Sequence, residues 1–193
     1  MTGYQLRAKL SALIVAVAAS HNAVAESLEV ARLMQMLAAT PSAEVAFTEK
    51  KFSSLLAAPV VSTGKLSFRP PDTVEKTIET PSVDAYRFVG EDLIVTRNGA
   101  ERRIRLSSQP MLAALAASLR GILAGNAAVL RNYFRLVLQG DEGSWRLDLI
   151  PLDEEIGRYV QRMTMSGRGG RLEVIEVREA SGDHSVMQIQ ARR

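Results

Sequence analysis

The chain has 193 residues, no cysteine, and a formal net charge of +3 from 24 basic and 21 acidic side chains. Without cysteine there is neither a disulfide framework nor a thiolate metal site. So slight a basic excess also lacks the electrostatic footprint of a nucleic-acid binder.

The N-terminal stretch MTGYQLRAKLSALIVAVAASHNAVAES starts basic (Arg7, Lys9), runs apolar from Leu10 to Ala19, and reaches a small-residue step at Ala23-Val24-Ala25. This order predicts a secretory signal peptide over residues 1–25, cleaved after Ala25. The apolar run is too short to span a bilayer. Removing Arg7 and Lys9 leaves a net charge of +1 on residues 26–193, a length that suits one domain with one core rather than two.

SLEVARLMQMLAAT, residues 27–40, has apolar residues at helical spacing, with Ser27 as its cap and Pro41 just beyond its end. The period then changes to two. Val45 and Phe47 share a face in AEVAFTEKKF, as do Leu66 and Phe68 in GKLSFR. In TVEKTIET, Val74 and Ile78 align with the charges read as opposite, and Asn98-Gly99 is the strongest hairpin signal in the chain. A second helix is predicted in SSQPMLAALAASLRGILAGN, with Ser107 or Ser108 as cap, Pro110 in the first turn and Gly125 as stop. Strand patterns resume in YFRLVLQGDEGSWRLDLIP, RYVQRMTMSGRGGRLEVIEV and GDHSVMQIQ. Phe134, Leu136 and Leu138 share one face, Trp145, Leu147 and Leu149 another, and Met163 aligns with Met165.

About eleven strands and two long helical segments predict a mainly β fold with α, in which an antiparallel meander curls into an incomplete barrel. Its apolar inner face is either plugged by the helices or left partly open as a cavity. Aromatic residues make up only 5% of the chain, and a lining rich in Leu, Val, Ile, Ala and Met suits a flexible aliphatic guest better than a planar one.

Enzyme chemistry is thin, and no catalytic residue, cofactor or metal site is expected. His184 stands between Asp183 and Ser185, but strand neighbours point to opposite faces, so the three do not form a triad. Asp153-Glu154-Glu155 reads as a solvated turn and SGRGG, residues 166–170, as a hairpin turn joining two strands. In AERRIRL, Arg103 and Arg105 fall on one strand face and Arg102 on the other, a solvated outer face or a docking surface for acidic headgroups or an acidic partner.

The order of motifs carries one further signal. An amphipathic helix is followed by VAFTEKKF, then GKLSFRPP, then YRFVGEDLIV, and later by RLVLQGDEGSWRLDLIPLD. This series resembles the LolA-like periplasmic lipoprotein carriers, with their F-x-Q near the first strand, G-x-L-x-x-x-R-P, a P…G-x-x-L stretch and L-x-P after the middle hairpin. The resemblance implies a half-open barrel in the periplasm, with helices as a lid over an apolar cavity for acyl chains. Among strand residues it implies that cargo meets Phe47, Leu66, Phe68, Leu136, Trp145, Leu147, Met163 and Met165. On the lid it implies contacts from Met111, Leu112, Leu115 and Leu119. The family arginine before proline falls on Arg69, where the resemblance implies that it holds the lid by polar contacts or meets an anionic headgroup; the alternative is a solvated arginine at a strand end.

The expected role is that of a monomeric carrier taking a lipid, glycolipid or lipoprotein from an inner-membrane donor complex to an outer-membrane acceptor. The alternative is a regulatory module of the envelope that senses lipids or lipoproteins. Glu49 replaces the family's usual glutamine, Val74 and Lys76 stand where aromatic residues are usual, and the chain stops at MQIQARR without the family's C-terminal extension. The missing extension implies a divergent carrier with another cargo or receptor than a housekeeping lipoprotein shuttle.

Overall fold

In a computed structural model, residues 29–39, 44–69 and 73–190 are described. The expected signal peptide, the Ser27 cap and the prolines at positions 41, 70 and 71 lie outside them. Helix α1 spans Val30–Ala39 and presents Leu33, Met34 and Leu37 to the core. Six strands follow: β1 (Val45–Phe52), β2 (Val60–Arg69), β3 (Thr73–Thr80), β4 (Asp84–Val89), β5 (Asp92–Arg97) and β6 (Ala100–Arg105). After a single 3₁₀ turn at Leu106–Ser108 come α2 (Pro110–Leu123) and α3 (Ala127–Arg131). The rest is β7 (Phe134–Asp141), β8 (Ser144–Pro151), the short α4 (Glu154–Gly157), β9 (Val160–Arg168), β10 (Arg171–Glu179) and β11 (His184–Ile189).

All eleven strands form one antiparallel sheet in the order β6-β5-β4-β3-β2-β1-β11-β10-β9-β8-β7. It does not close, so the architecture is the predicted half-open barrel. The first and last strands meet at its centre, with Phe47 opposite Ile189 and Phe52 opposite His184. Two local meanders are thus joined along one seam formed by residues far apart in the chain.

Local chemistry explains the turns. Asn98 and Gly99 have φ of 51° and 78°, the two positive values that a two-residue type I′ hairpin requires. Asp153 caps α4 by accepting from the Glu155 N–H at 2.6 Å, so the acidic run is a capped helical turn. Gln109, not Ser107 or Ser108, precedes α2; Ser108 instead donates to the Arg105 carbonyl at 2.8 Å. Pro110 opens α2, where a missing N–H costs nothing, and Gly125 follows its end with a φ of 65°. Strand β2 also begins four residues before the predicted GKLSFR, because Val60 and Val61 already pair with Lys51 and Lys50.

The core lies on the inner face, the face that carries the helices. Phe47, Val74, Phe134, Trp145, Leu147, Leu149, Met163 and Met165 are buried there with Leu33, Met34, Ile122 and Leu130 from the helices. Trp145 packs against Gly167, where an added Cβ would sit 2.7 Å from the indole ring. Its indole N–H donates to the Gly169 carbonyl at 2.8 Å, so the burial leaves no unsatisfied donor.

Candidate functional site

Between α2 and the sheet lies a partly open cavity of about 750 Å³. Met111, Leu112, Ala114, Leu115 and Leu119 of α2 form its roof. One wall comes from β2 to β5, through Leu66, Val74, Ile78, Tyr86, Phe88 and Leu93. The other comes from β9 to β11, through Met163, Ile175, Val177 and Met187, and Phe134, Ile156 and Val160 complete the apolar surface.

Strand alternation makes these walls. In the registers, Val74 faces Phe88 and Phe88 faces Leu93; on the far side Met163 faces Val177 and Ile175 faces Met187. Among the small residues of α2, Ala114 reaches the cavity. Ala114, Ala116 and Ser118 are buried, and the Ser118 hydroxyl donates back to the Ala114 carbonyl at 2.6 Å. Gly121 does not interrupt the helix as a hinge would. A Cβ there would lie 2.9 Å from the Leu130 side chain, so the glycine lets α3 pack closely on α2.

Six of the residues expected to meet cargo line this cavity: Leu66, Met111, Leu112, Leu115, Leu119 and Met163. Phe47, Phe68, Trp145, Leu147 and Met165 are buried in the packed part of the inner face, and Leu136 packs beside them half-buried. Arg69 is elsewhere again. It ends β2, its side chain is 64% exposed, and its guanidinium donates to Glu75 of β3 at 2.8 Å. Its polar contact among the described residues is therefore a neighbouring strand rather than a lid helix.

The cavity also holds polar side chains that the pattern reading overlooked: Glu49, Lys51, Lys76, Arg158, Glu179, Ser181 and Ser185. Lys76 shares a face with Val74 and Ile78, since the strand period is two, and so belongs to the inner face rather than opposite it. Its ammonium meets Glu49 at 2.6 Å and stands 5.2 Å above the centre of the Phe47 ring. The reach is diagonal across β2, where Glu49 opposes Ser62 and Lys76 opposes Leu66, with Gly64 between. Gly64 is required by close backbone approach, because a Cβ there would fall 1.9 Å from the Thr77 carbonyl oxygen. Further out, Lys51 meets Glu179 at 3.1 Å.

His184 turns away from this cavity and stacks on Phe52, with ring centres 4.4 Å apart, while Ser185 lines it. The two are on opposite faces, as the strand period dictates. Among the described residues no three His, Cys, Asp or Glu side chains cluster to hold a metal ion, and no helix is long and apolar enough to cross a membrane. Arg103 and Arg105, expected on a solvated outer face or a docking surface, are exposed and paired with Asp92 at 3.1 Å and Glu91 at 3.4 Å. At the end of β5, Arg97 donates to both oxygens of Asp84 at 3.2 Å; that contact, with Tyr86, raises the already high pKa of the guanidinium.

Several solved structures are similar to this chain at low identity. A LolA superfamily protein from Nitrosomonas europaea is 16% identical over 83% of this chain and 89% of its own, with a TM-score of 0.46. A DUF1329 family protein from Desulfovibrio piger is 13% identical over 83% and 88%, at 0.49. The lipoprotein LppX of Mycobacterium tuberculosis is 9% identical over 83% and 93%, at 0.43. No curated protein matches the sequence. The family described as outer membrane lipoprotein carrier protein LolA-like matches residues 22–190, and with nearly the whole chain covered, the protein belongs to that family.

Proposed function

We propose that this protein is a periplasmic carrier that shelters the acyl chains of a lipid, glycolipid or lipoprotein beneath α2 and moves its cargo toward the outer membrane. The observation that carries this reading is the cavity of about 750 Å³ with an aliphatic roof and walls. Sites of roughly 300–1,000 Å³ suit small amphiphiles, and each methylene taken from water gains about 0.8 kcal/mol. A dozen methylenes thus offset the ordering of a flexible chain with a margin. Family membership supports the same reading. The carrier exchanges cargo with a donor at the inner membrane and an acceptor at the outer membrane, and α2, with four alanines among its fourteen residues, is the element that shifts to admit it.

The test is native mass spectrometry of the protein purified from the cell envelope without detergent, followed by organic extraction. A defined extra mass that extracts as an acylated molecule is expected. Leu119→Trp, which fills the roof, should abolish uptake of a fluorescent fatty-acyl probe while leaving the fold intact. A clean unliganded mass with no probe uptake by the unaltered protein would sink the carrier reading and leave the envelope-sensor alternative.

A further inference from the structure

We infer that the polar end of the cavity is a headgroup subsite, and that the ligand is an amphiphile whose head carries a single phosphodiester while its chains lie under α2. The inference rests on the carrier reading and specifies its cargo.

The lining is divided. The roof from α2 is wholly apolar, whereas every charged lining residue comes from β1, β3, the end of β10 or the connection into β9. Two ion pairs stand in series along this division. Glu49 and Lys76 form the inner one, with side chains 18% and 25% exposed. Lys51 and Glu179 form the outer one, at 51% and 35%. Glu49 and Lys51 are two residues apart on one strand, so they point the same way, and the rising exposure marks the direction toward water. A wall built only for hydrocarbon gains nothing from such pairs, because removing charges from water costs more than an apolar residue in the same place. They make sense where a ligand also presents polar atoms.

The charges at this end define what it accepts. Lys51, Lys76 and Arg158 face Glu49 and Glu179 across the lining, leaving one positive charge in excess. Arg158 has no side-chain ion pair or hydrogen bond among the described residues. The next residue, Tyr159, is held beside the end of β10, where its carbonyl accepts from the Ala180 N–H at 2.9 Å. Ser185 lies directly opposite Lys51 in the strand register, which adds a hydroxyl to the same end. An ammonium has three donors, so Lys51 can keep Glu179 and still donate to a phosphate oxygen, with Arg158 supplying a charge-assisted fork from the rim. One net positive charge matches one phosphodiester. A neutral diacylglycerol leaves it unmatched, and a free phosphate compound leaves the aliphatic roof empty.

The experiment is displacement of a bound fluorescent fatty-acyl probe from the full protein by three competitors: a short-chain phosphatidylglycerol, the diacylglycerol with the same chains, and glycerol phosphate alone. Phosphatidylglycerol should act at a concentration about tenfold below diacylglycerol, with the advantage shrinking as salt is added. Glycerol phosphate should not displace the probe. In Lys51→Gln/Arg158→Gln, two exposed positions whose loss leaves the fold intact, the two lipids should become equal, while Arg158→Lys should keep part of the preference. Equal displacement by both lipids in the unaltered protein overturns this inference alone, as does displacement by glycerol phosphate as effective as by the lipid. Failure of both lipids to displace the probe overturns the carrier reading and this inference with it.

Discussion

The inner face of the sheet is treated in two ways along its width. In one part it is solid: Phe47, Trp145, Leu147 and Met165 are at most 2% exposed and stand outside the cavity lining. Beneath α2 it is hollow, although the strands there alternate just as regularly. Interiors reach crystal-like density only where facing volumes match, and beneath α2 they do not: Met111, Leu112, Leu115 and Leu119 roof the space without filling it. Where they do not match and the lining is apolar, space remains for a guest.

The sharpest way to break this contrast is to hollow the solid half. Trp145→Ala should cost about 3–5 kcal/mol, read as a shift in the denaturation midpoint, because the cavity it leaves is walled by well-packed residues. If the loss were under about 1 kcal/mol, the solid half would be no more tightly packed than the hollow one. An intermediate effect is expected at the boundary between the halves. Lys76→Met strands Glu49 at low exposure and should cost about 1–3 kcal/mol, whereas the double change Lys76→Met/Glu49→Met should return near the unaltered stability. A double variant as unstable as the single one would show that the pair holds the fold rather than dressing the cavity wall. The smallest effect is expected far from both halves. Arg69→Gln should change stability by less than about 1 kcal/mol, since its partner Glu75 is met at the surface. It should also leave acyl-probe uptake unchanged; a large loss of uptake would reinstate a lid-holding role.

Much of this was legible in the sequence, and the gaps have physical causes. Period-two patterns and the Asn98-Gly99 turn report local backbone geometry, which explains why the strand count and the open antiparallel sheet follow from them. Alternation also says which side chains share a face: Trp145, Leu147 and Leu149 do, as expected. It does not say which part of that face a helix will cover, so Leu66 and Met163 line the cavity while Phe47 and Met165 are sealed beneath packing. The central pairing of β1 with β11 has no local signature, because its partners are brought together only by the whole fold. A lysine among apolar neighbours looks like an outer-face residue, yet Lys76 shares the inner face with Val74 and Ile78. The clue was present in the pattern all the same: Glu49 and Lys76 both depart from the family's usual residues, and they prove to be each other's partner.

An unclosed sheet has a cost of its own, for its rims are strands with one unpaired row of backbone donors and acceptors. One rim is β6, and of its six residues four are charged: Glu101, Arg102, Arg103 and Arg105. Charges so placed repel an incoming strand from another copy. The arginine-rich segment that invites comparison with a docking surface thus has a plainer duty, which is to keep a protein built around an open sheet from polymerising through its own edge.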